Sequence, residues 1–152
     1  PLEEVRLRTR SQFLTDLAMM MGGYAAEQEI FGEMSTGASN DLKQASELAR
    51  KLVTQYGMSD KMGPMTFGKT QELVFLGREI ATEKNYSESI ASQIDDEVHG
   101  FIVRAYEAAK KIVSGRKKVL QAIADALLEK EVLEQEEFET LIKPFKLKAL
   151  AV

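Results

Sequence analysis

The sequence contains no cysteine and only one histidine, His99. Disulfide bonds, thiolate metal ligands and catalytic cysteine–histidine pairs are therefore excluded, and the absence of cysteine is compatible with a reducing compartment. His99 falls on the polar side of a predicted helix. A lone histidine in such a position is usually a solvated side chain rather than a metal ligand.

Long apolar runs and an excess of positive charge are also missing. No apolar run approaches the ~20 residues that a membrane-spanning helix requires. The 152 residues carry 20 Lys and Arg against 24 Asp and Glu, which gives a formal net charge of -4. Because nucleic-acid-binding proteins present excess positive charge to phosphate, we predict no nucleic-acid partner. One basic cluster, Arg116-Lys117-Lys118, is interpreted as a solvated helix junction.

The remaining composition is that of an ordinary globular domain, with 44% apolar and 29% charged residues. The chain begins with Pro1-Leu2-Glu3-Glu4 and shows neither an initiator methionine nor a signal peptide. We therefore expect a piece of a longer protein, with any membrane anchor in another part of it.

Apolar residues recur at helical spacing in five segments that are bounded by caps, glycines and a proline. Thr9 and Gln12 have the form of a capping box, Ser39 or Asn40 is the predicted cap of the second helix, and Ser87 that of the third. The pattern predicts an all-α helical bundle with helices near residues 9–31, 40–56, 87–114, 116–130 and 135–143.

The connection between the second and third helices is predicted to be one long irregular loop, residues 58–86. Short strands at residues 65–67 or 73–76 are alternatives within it. Beyond Pro144 the sequence has no periodicity, so the domain is predicted to span residues 1–143 and to be followed by a frayed tail, residues 144–152.

Two glycines, Gly22-Gly23, lie inside the first predicted helix. Each costs roughly 1 kcal/mol relative to alanine in a helix interior. The pair therefore indicates that another backbone approaches the helix closely at this point.

Two acidic residues are candidates for a site. Asp41 falls in the first turn of the second helix, where a carboxylate complements the helix dipole, so a cap formed by Asn40 or Asp41 is the simpler interpretation. Glu27 lies near the C-terminal end of the first helix, where an acid opposes the dipole. A solvated side chain is the simpler interpretation there too.

A series of short motifs resembles the FtsH peptidase family in order and spacing, across about residues 5–143. Each motif alone is a weak signal, but so many in one order are specific. They are Gly22-Gly23-x-Ala25-Ala26-Glu27, Phe31-Gly32, Thr36-Gly37-Ala38-x-Asn40-Asp41-Leu42, Ala49-Arg50, Tyr56-Gly57-Met58-Ser59, Gly63-Pro64, Phe75-Leu76-Gly77, Tyr86-Ser87 and Ile94-Asp95-x-Glu97-Val98.

The resemblance implies the C-terminal part of the peptidase domain of an ATP-dependent zinc metalloprotease. In that family a His-Glu-x-x-His helix supplies two zinc ligands and a glutamate general base, and a distant aspartate supplies the third ligand. That aspartate matches Asp41, and Glu27 and Asn40 become candidates for groups that orient a ligand. Three protein ligands leave a fourth position for water, whose pKa zinc lowers.

The chain departs from the family in two places. It has no His-Glu-x-x-His, so we expect no catalytic residue in it and no zinc held by it alone. Tyr24 stands where the family commonly has arginine, which puts a local salt bridge at this position in doubt but not the fold.

The resemblance also implies properties of the intact protein. It would degrade unfolded or membrane proteins, use ATP on a separate AAA+ module and form a hexameric ring. It would be anchored in a membrane, with the peptidase domain on the cytoplasmic side or on the matrix or stromal side of an organelle.

Two other functions are compatible with the sequence. One is an inactive FtsH-like scaffold that acts as a chaperone or assembly part. The other is a helical protein-interaction module with exposed Met19, Met58 or Met62 as an adaptable surface. Methionines at helical spacing are more often core residues, and the second alternative leaves the ordered motifs unexplained.

Overall fold

The computed structural model describes residues 7–71 and 81–149, and five α-helices dominate these ranges. Each helix begins and ends within two residues of its predicted bounds, which confirms the all-α bundle. The helices are α1 Arg10–Phe31, α2 Ser39–Thr54, α3 Glu88–Gly115, α4 Lys117–Lys130 and α5 Gln135–Ile142.

The described part of the segment between α2 and α3 is irregular, as predicted, apart from two short antiparallel strands. Its strands are β1 Lys69–Gln71 and β2 Ala81–Glu83, with Lys69 opposite Glu83. The predicted strand at residues 65–67 is wrong, because this stretch has no regular secondary structure and β1 begins only at Lys69. The alternative at residues 73–76 lies outside the described residues.

Local capping explains where α1 and α3 begin. Thr9 and Gln12 form the predicted reciprocal capping box, and the Ser87 hydroxyl accepts from the backbone N–H of Ile90 at 3.2 Å. The predicted cap of α2 is wrong. A 3₁₀ turn, Thr36–Ala38, runs directly into α2, so Ser39 and Asn40 already belong to the helix and Ala38 occupies the cap position without a side-chain bond.

The core lies between α1, α2 and α3. Each helix contributes a stripe of buried residues at helical spacing, which is the arrangement expected of amphipathic helices. Fully burying an aliphatic or aromatic side chain stabilises the fold by about 1.5–3 kcal/mol, so these stripes hold the three helices together. The core includes Leu17, Met21, Ala25, Ala45, Ala49, Leu52, Ile94, Val98, Phe101 and Ala105.

The helices α4 and α5 pack at the edge of this core. Within the described ranges Val119 is the only buried residue of α4, and α5 has none. Leu128 and Val132 are 84% and 67% exposed. An ion pair between Lys130 and Glu137 joins the two helices.

None of the described residues brings another backbone close to the glycine pair, so the predicted close approach is not found within this chain. A Cβ placed on Gly22 would meet no atom within 4 Å, and one on Gly23 would meet only Oδ2 of Asp41, at 4.0 Å. The glycines lie on a stripe of α1 together with Met19 and Ile30, which are 73% and 49% exposed, and with Ala26, which packs in part against the core. We call Met19, Gly22, Gly23 and Ile30 the open face of α1.

The three methionines of the interaction-module alternative do not form one surface. Met62 is buried in the core and Met58 packs against it, so only Met19 is exposed. No helix in the described ranges is long and apolar enough to cross a membrane.

Candidate functional site

The candidate residues meet where α1 ends and α2 begins. Gly32 terminates α1 in the left-handed conformation, with φ 67°, which glycine adopts without a steric penalty. The chain then turns through the 3₁₀ segment Thr36–Ala38 and enters α2. Because α1 and α2 pack side by side, Asp41 at the start of α2 lies next to Gly23 of α1.

Glu27 holds the connecting loop in place. The backbone N–H of Ser35 donates to Oε2 of Glu27 at 3.1 Å, and the Ser35 hydroxyl donates to Oε1 at 2.7 Å. These two bonds lower the pKa of the Glu27 carboxyl, since both favour its charged form. The same hydroxyl accepts from the backbone N–H of Gly37 at 3.1 Å, so one carboxylate organises the turn before α2.

Gly37 fits this arrangement because it has no side chain. A Cβ there would lie 3.2 Å from Oε1 of Glu27 and 3.1 Å from Oγ of Ser35. Any larger residue would push the carboxylate and the hydroxyl apart. Glu27 is therefore more than a solvated acid, and its contacts act on the backbone that carries Asp41.

Asp41 lies in the first turn of α2 and is exposed. Neither its side chain nor that of Asn40 forms a hydrogen bond among the residues that the structure describes, so neither acts as a side-chain cap. The carboxylate of Asp41 instead borders the open face of α1, 4.0 Å from the position of a Cβ on Gly23. It is an exposed carboxyl group in the first turn of a helix.

One carboxylate does not make a metal site. Within residues 7–71 and 81–149, no three His, Cys, Asp or Glu side chains lie close enough together to hold a metal ion. Asp41 suits zinc as one oxygen ligand, and the chain supplies no nitrogen ligand beside it. His99 is exposed on α3, where it was expected.

Two further links join α3 to α2 and to the loop that follows α2, and sequence reasoning missed both. The Ser59 hydroxyl, on a side chain that is only 2% exposed, donates to Oε2 of Glu97 at 2.7 Å and accepts from the backbone N–H of Met62 at 3.1 Å. Arg50 reaches Asp95 at 3.2 Å. Each pair joins two of the FtsH-like motifs, which are about forty residues apart in the sequence. Membership in that motif series was the only sequence signal that could have indicated these contacts.

Tyr24 takes part in packing rather than charge pairing. Its ring meets that of Tyr106 edge to face, with 5.4 Å between centroids. Such aromatic pairs add about 0.5–1.5 kcal/mol beyond area burial. An aromatic contact between α1 and α3 therefore occupies the position where the resemblance led us to look for arginine.

Comparison with known proteins gives consistent matches. A sequence profile of Peptidase family M41 matches residues 1–141. Two proteins named "ATP-dependent zinc metalloprotease FtsH", from Chloroflexus aggregans and Pseudothermotoga lettingae, are 47% and 45% identical over 146 and 143 residues. "ATP-dependent zinc metalloprotease FtsH 1" of Thermomicrobium roseum is 48% identical over 141 residues. These matches cover 93–95% of this chain but only 22–23% of the relatives, so it spans less than a quarter of their length.

Proposed function

The chain belongs to peptidase family M41, and from that premise we propose that it forms the C-terminal part of the peptidase domain of an ATP-dependent zinc metalloendopeptidase. In this proposal Asp41 is the third protein ligand of the zinc. The His-Glu-x-x-His helix, with the other two ligands and the general base, comes from a part of the protein outside this chain.

The surroundings of Asp41 support its role as a ligand. Its carboxylate is exposed, forms no hydrogen bond within the described residues and borders the open face of α1. Met19 and Ile30 make that face apolar, and a helix with apolar residues on two sides is usually covered on both. A catalytic helix packed on the open face would bring its metal ligands next to Asp41.

Glu27 acts on Asp41 through the backbone. Its bonds to Ser35 fix the turn from which α2 starts, and so they fix the direction in which α2 presents Asp41. Metal sites depend on such supporting groups, whose loss typically costs 10–100-fold in metal affinity or activity. Asn40, directly before the ligand, is proposed to orient it in the intact site.

When bound, zinc supplies Lewis-acid polarisation and lowers the pKa of a coordinated water. This chain contributes a negative oxygen ligand, the loop that positions it and the helical scaffold. We further propose that ATP is used on a separate AAA+ module, that the intact protein is a membrane-anchored hexamer and that unfolded or membrane proteins are its substrates. Its peptidase domain would face the cytoplasm, or the matrix or stroma of an organelle.

The decisive experiment is Asp41→Asn in the intact protein. Asparagine preserves size but removes the charge, and losing a dipole-complementing acid in an exposed first turn costs only about 0.3–1 kcal/mol. If Asp41 ligates zinc, the variant loses bound metal or peptide hydrolysis while ATP hydrolysis continues. Metal content, protease rate and ATPase rate should be measured on one purified preparation.

Asp96→Asn is the matched control, because Asp96 is exposed on α3 and away from the α1–α2 loop. It should keep its metal and both activities. A variant at Asp41 with full zinc and a near-normal protease rate would contradict the proposal.

The 152-residue chain alone should neither cleave protein nor bind zinc tightly, because it supplies one ligand of three. Calorimetric titration with zinc and a casein digestion assay test the two expectations separately. Submicromolar zinc binding or metal-dependent cleavage by the chain would show that the site is built differently.

A further inference from the structure

A cleft of about 620 Å³ lies between the α3–α4 junction and the segment that follows α5. No carboxylate is among the described residues that line it, although acidic residues outnumber basic ones in the sequence. We call it the basic cleft. The basic residues that line it are Arg116, Lys117, Lys118, Lys146 and Lys148.

The fold brings these charges together from two separate segments. Arg116, Lys117 and Lys118 start α4, and the chain returns after α5 to place Lys146 and Lys148 opposite them. A guanidinium N–H of Arg116 donates to the backbone oxygen of Lys148 at 2.8 Å and so ties the two segments. Lys146 has φ 48°, a left-handed conformation that is uncommon for a long side chain.

Little in the chain neutralises this charge. Lys117 reaches Glu29 of α1 at 3.5 Å, whereas the other four basic side chains form no ion pair within the described ranges. The first turn of α4, like that of α1, has no acidic residue, and α4 has no side-chain cap. Since a helix N-terminus already carries partial positive charge, the basic cleft attracts anions.

We propose that the basic cleft binds the phosphate groups of a soluble small molecule. A phosphate offers several acceptor oxygens and more than one negative charge, which suits an arginine fork, flanking lysines and the free backbone N–H groups of a helix start. The volume of the cleft is within the range of small-molecule sites and exceeds what one phosphate requires. A ligand with two or more phosphates fits it best.

Inorganic tripolyphosphate is the probe, titrated calorimetrically into the chain at physiological ionic strength. Lys118→Gln with Lys148→Gln should weaken binding by about tenfold or more, because a hydrogen bond between charged groups is lost on each side of the cleft. Lys43→Gln with Lys61→Gln changes net charge equally at two exposed lysines elsewhere, and should alter affinity by less than about twofold.

Thermal unfolding distinguishes a lost site from a damaged fold. Tripolyphosphate should raise the Tm of the wild type, since a ligand that binds only the folded state stabilises it. Without ligand, the cleft variant should melt at the same temperature as the wild type or higher, because two mutually repelling charges are gone. At saturating tripolyphosphate, the wild type should have the higher Tm of the two.

The chemical shifts of backbone amides in an NMR titration identify where tripolyphosphate binds. Those of residues 117–120 and 146–148 should shift on titration, and those of α2 should not. Equal weakening in the cleft and control variants, unsaturable binding, or shifts elsewhere would overturn the proposal. Binding to vesicles with anionic phosphate headgroups but not to tripolyphosphate would overturn it too. No residue of the cleft belongs to the Asp41 site, so either proposal can fail without the other.

Discussion

The helix α1 has two apolar faces, one buried in the core and one exposed. Leu17, Met21 and Ala25 are 0%, 3% and 0% exposed against α2 and α3, whereas Met19 and Ile30 on the open face are 73% and 49% exposed. Residue type does not distinguish the two faces, since both are apolar. They differ because the described residues of this chain cover one face and leave the other exposed.

The comparison bears on where the proposed site lies on the scaffold. The buried face accounts for stability, and its spacing is that of any amphipathic helix. The open face adjoins Asp41, and Glu27 organises the turn beside it. Apolar residues that the fold leaves uncovered therefore mark the side on which the rest of the site is proposed to assemble.

The largest expected effect comes from a pair of substitutions two residues apart on α1. Leu17→Ala should lower the free energy of unfolding by about 2–5 kcal/mol, because it leaves a cavity in the core. Met19→Ala should change it by no more than about 0.5 kcal/mol, because that side chain is exposed. Urea unfolding followed by circular dichroism measures both. Similar losses would mean that the two faces are equally buried.

A buried polar link should come next in size. Ser59→Ala removes the hydroxyl that joins Glu97 to the backbone of Met62, and should cost about 1–3 kcal/mol because buried partners are left unsatisfied. Ser46→Ala removes an exposed hydroxyl that bonds within its own helix, and should cost much less. Equal effects in urea unfolding would contradict the importance of burial at Ser59.

The two glycine substitutions are expected to have opposite signs. Gly22→Ala should stabilise the isolated chain by up to about 1 kcal/mol, since the added Cβ meets nothing and alanine favours helix. Gly57→Ala should destabilise it, because φ is 60° and the Cβ would lie 3.1 Å from Cα of Pro64. Thermal unfolding measures both.

The same Gly22→Ala substitution in the intact protein tests whether another segment covers the open face. If another segment packs on α1 there, Gly22→Ala should reduce protease activity or zinc content even though it stabilises the isolated chain. Normal activity together with normal zinc in that variant would argue against a covering helix at Gly22.

The sequence predicted the helices because their signals are local. Thr9, Gln12, Gly32 and Ser87 determine helix ends through nearby backbone groups, and apolar spacing gave the buried stripes of α1, α2 and α3. The start of α2 was misjudged because a 3₁₀ turn and a helix share the same residue preferences. The close approach expected at the glycine pair is not found within this chain, because no described residue covers Gly22.

The candidate site could be predicted only as residues, not as geometry. Helix position singled out Asp41 and Glu27 and the resemblance gave them roles, but no periodicity reveals that Glu27 bonds to Ser35 eight positions later. The basic cleft was missed for a similar reason. Lys146 and Lys148 lie in what was predicted to be a tail, and only the path of the chain after α5 places them beside Arg116.

The smallest expected effect is a pH dependence at Glu27. Its pKa lies below the ordinary value of 4.5 because of the bonds from Ser35 to the charged form. A lowered folded-state pKa contributes stability that is fully present above the unfolded value and is lost as pH falls through the folded one. Glu27→Gln cannot ionise, so it should be less stable than the wild type at neutral pH, and the difference should shrink below about pH 4.5. Urea unfolding from about pH 7 to about pH 3 measures this, with Glu47→Gln as the control for losing one exposed negative charge. A difference that stays constant or grows towards acid would show that the Ser35 bonds do not favour the charged carboxylate.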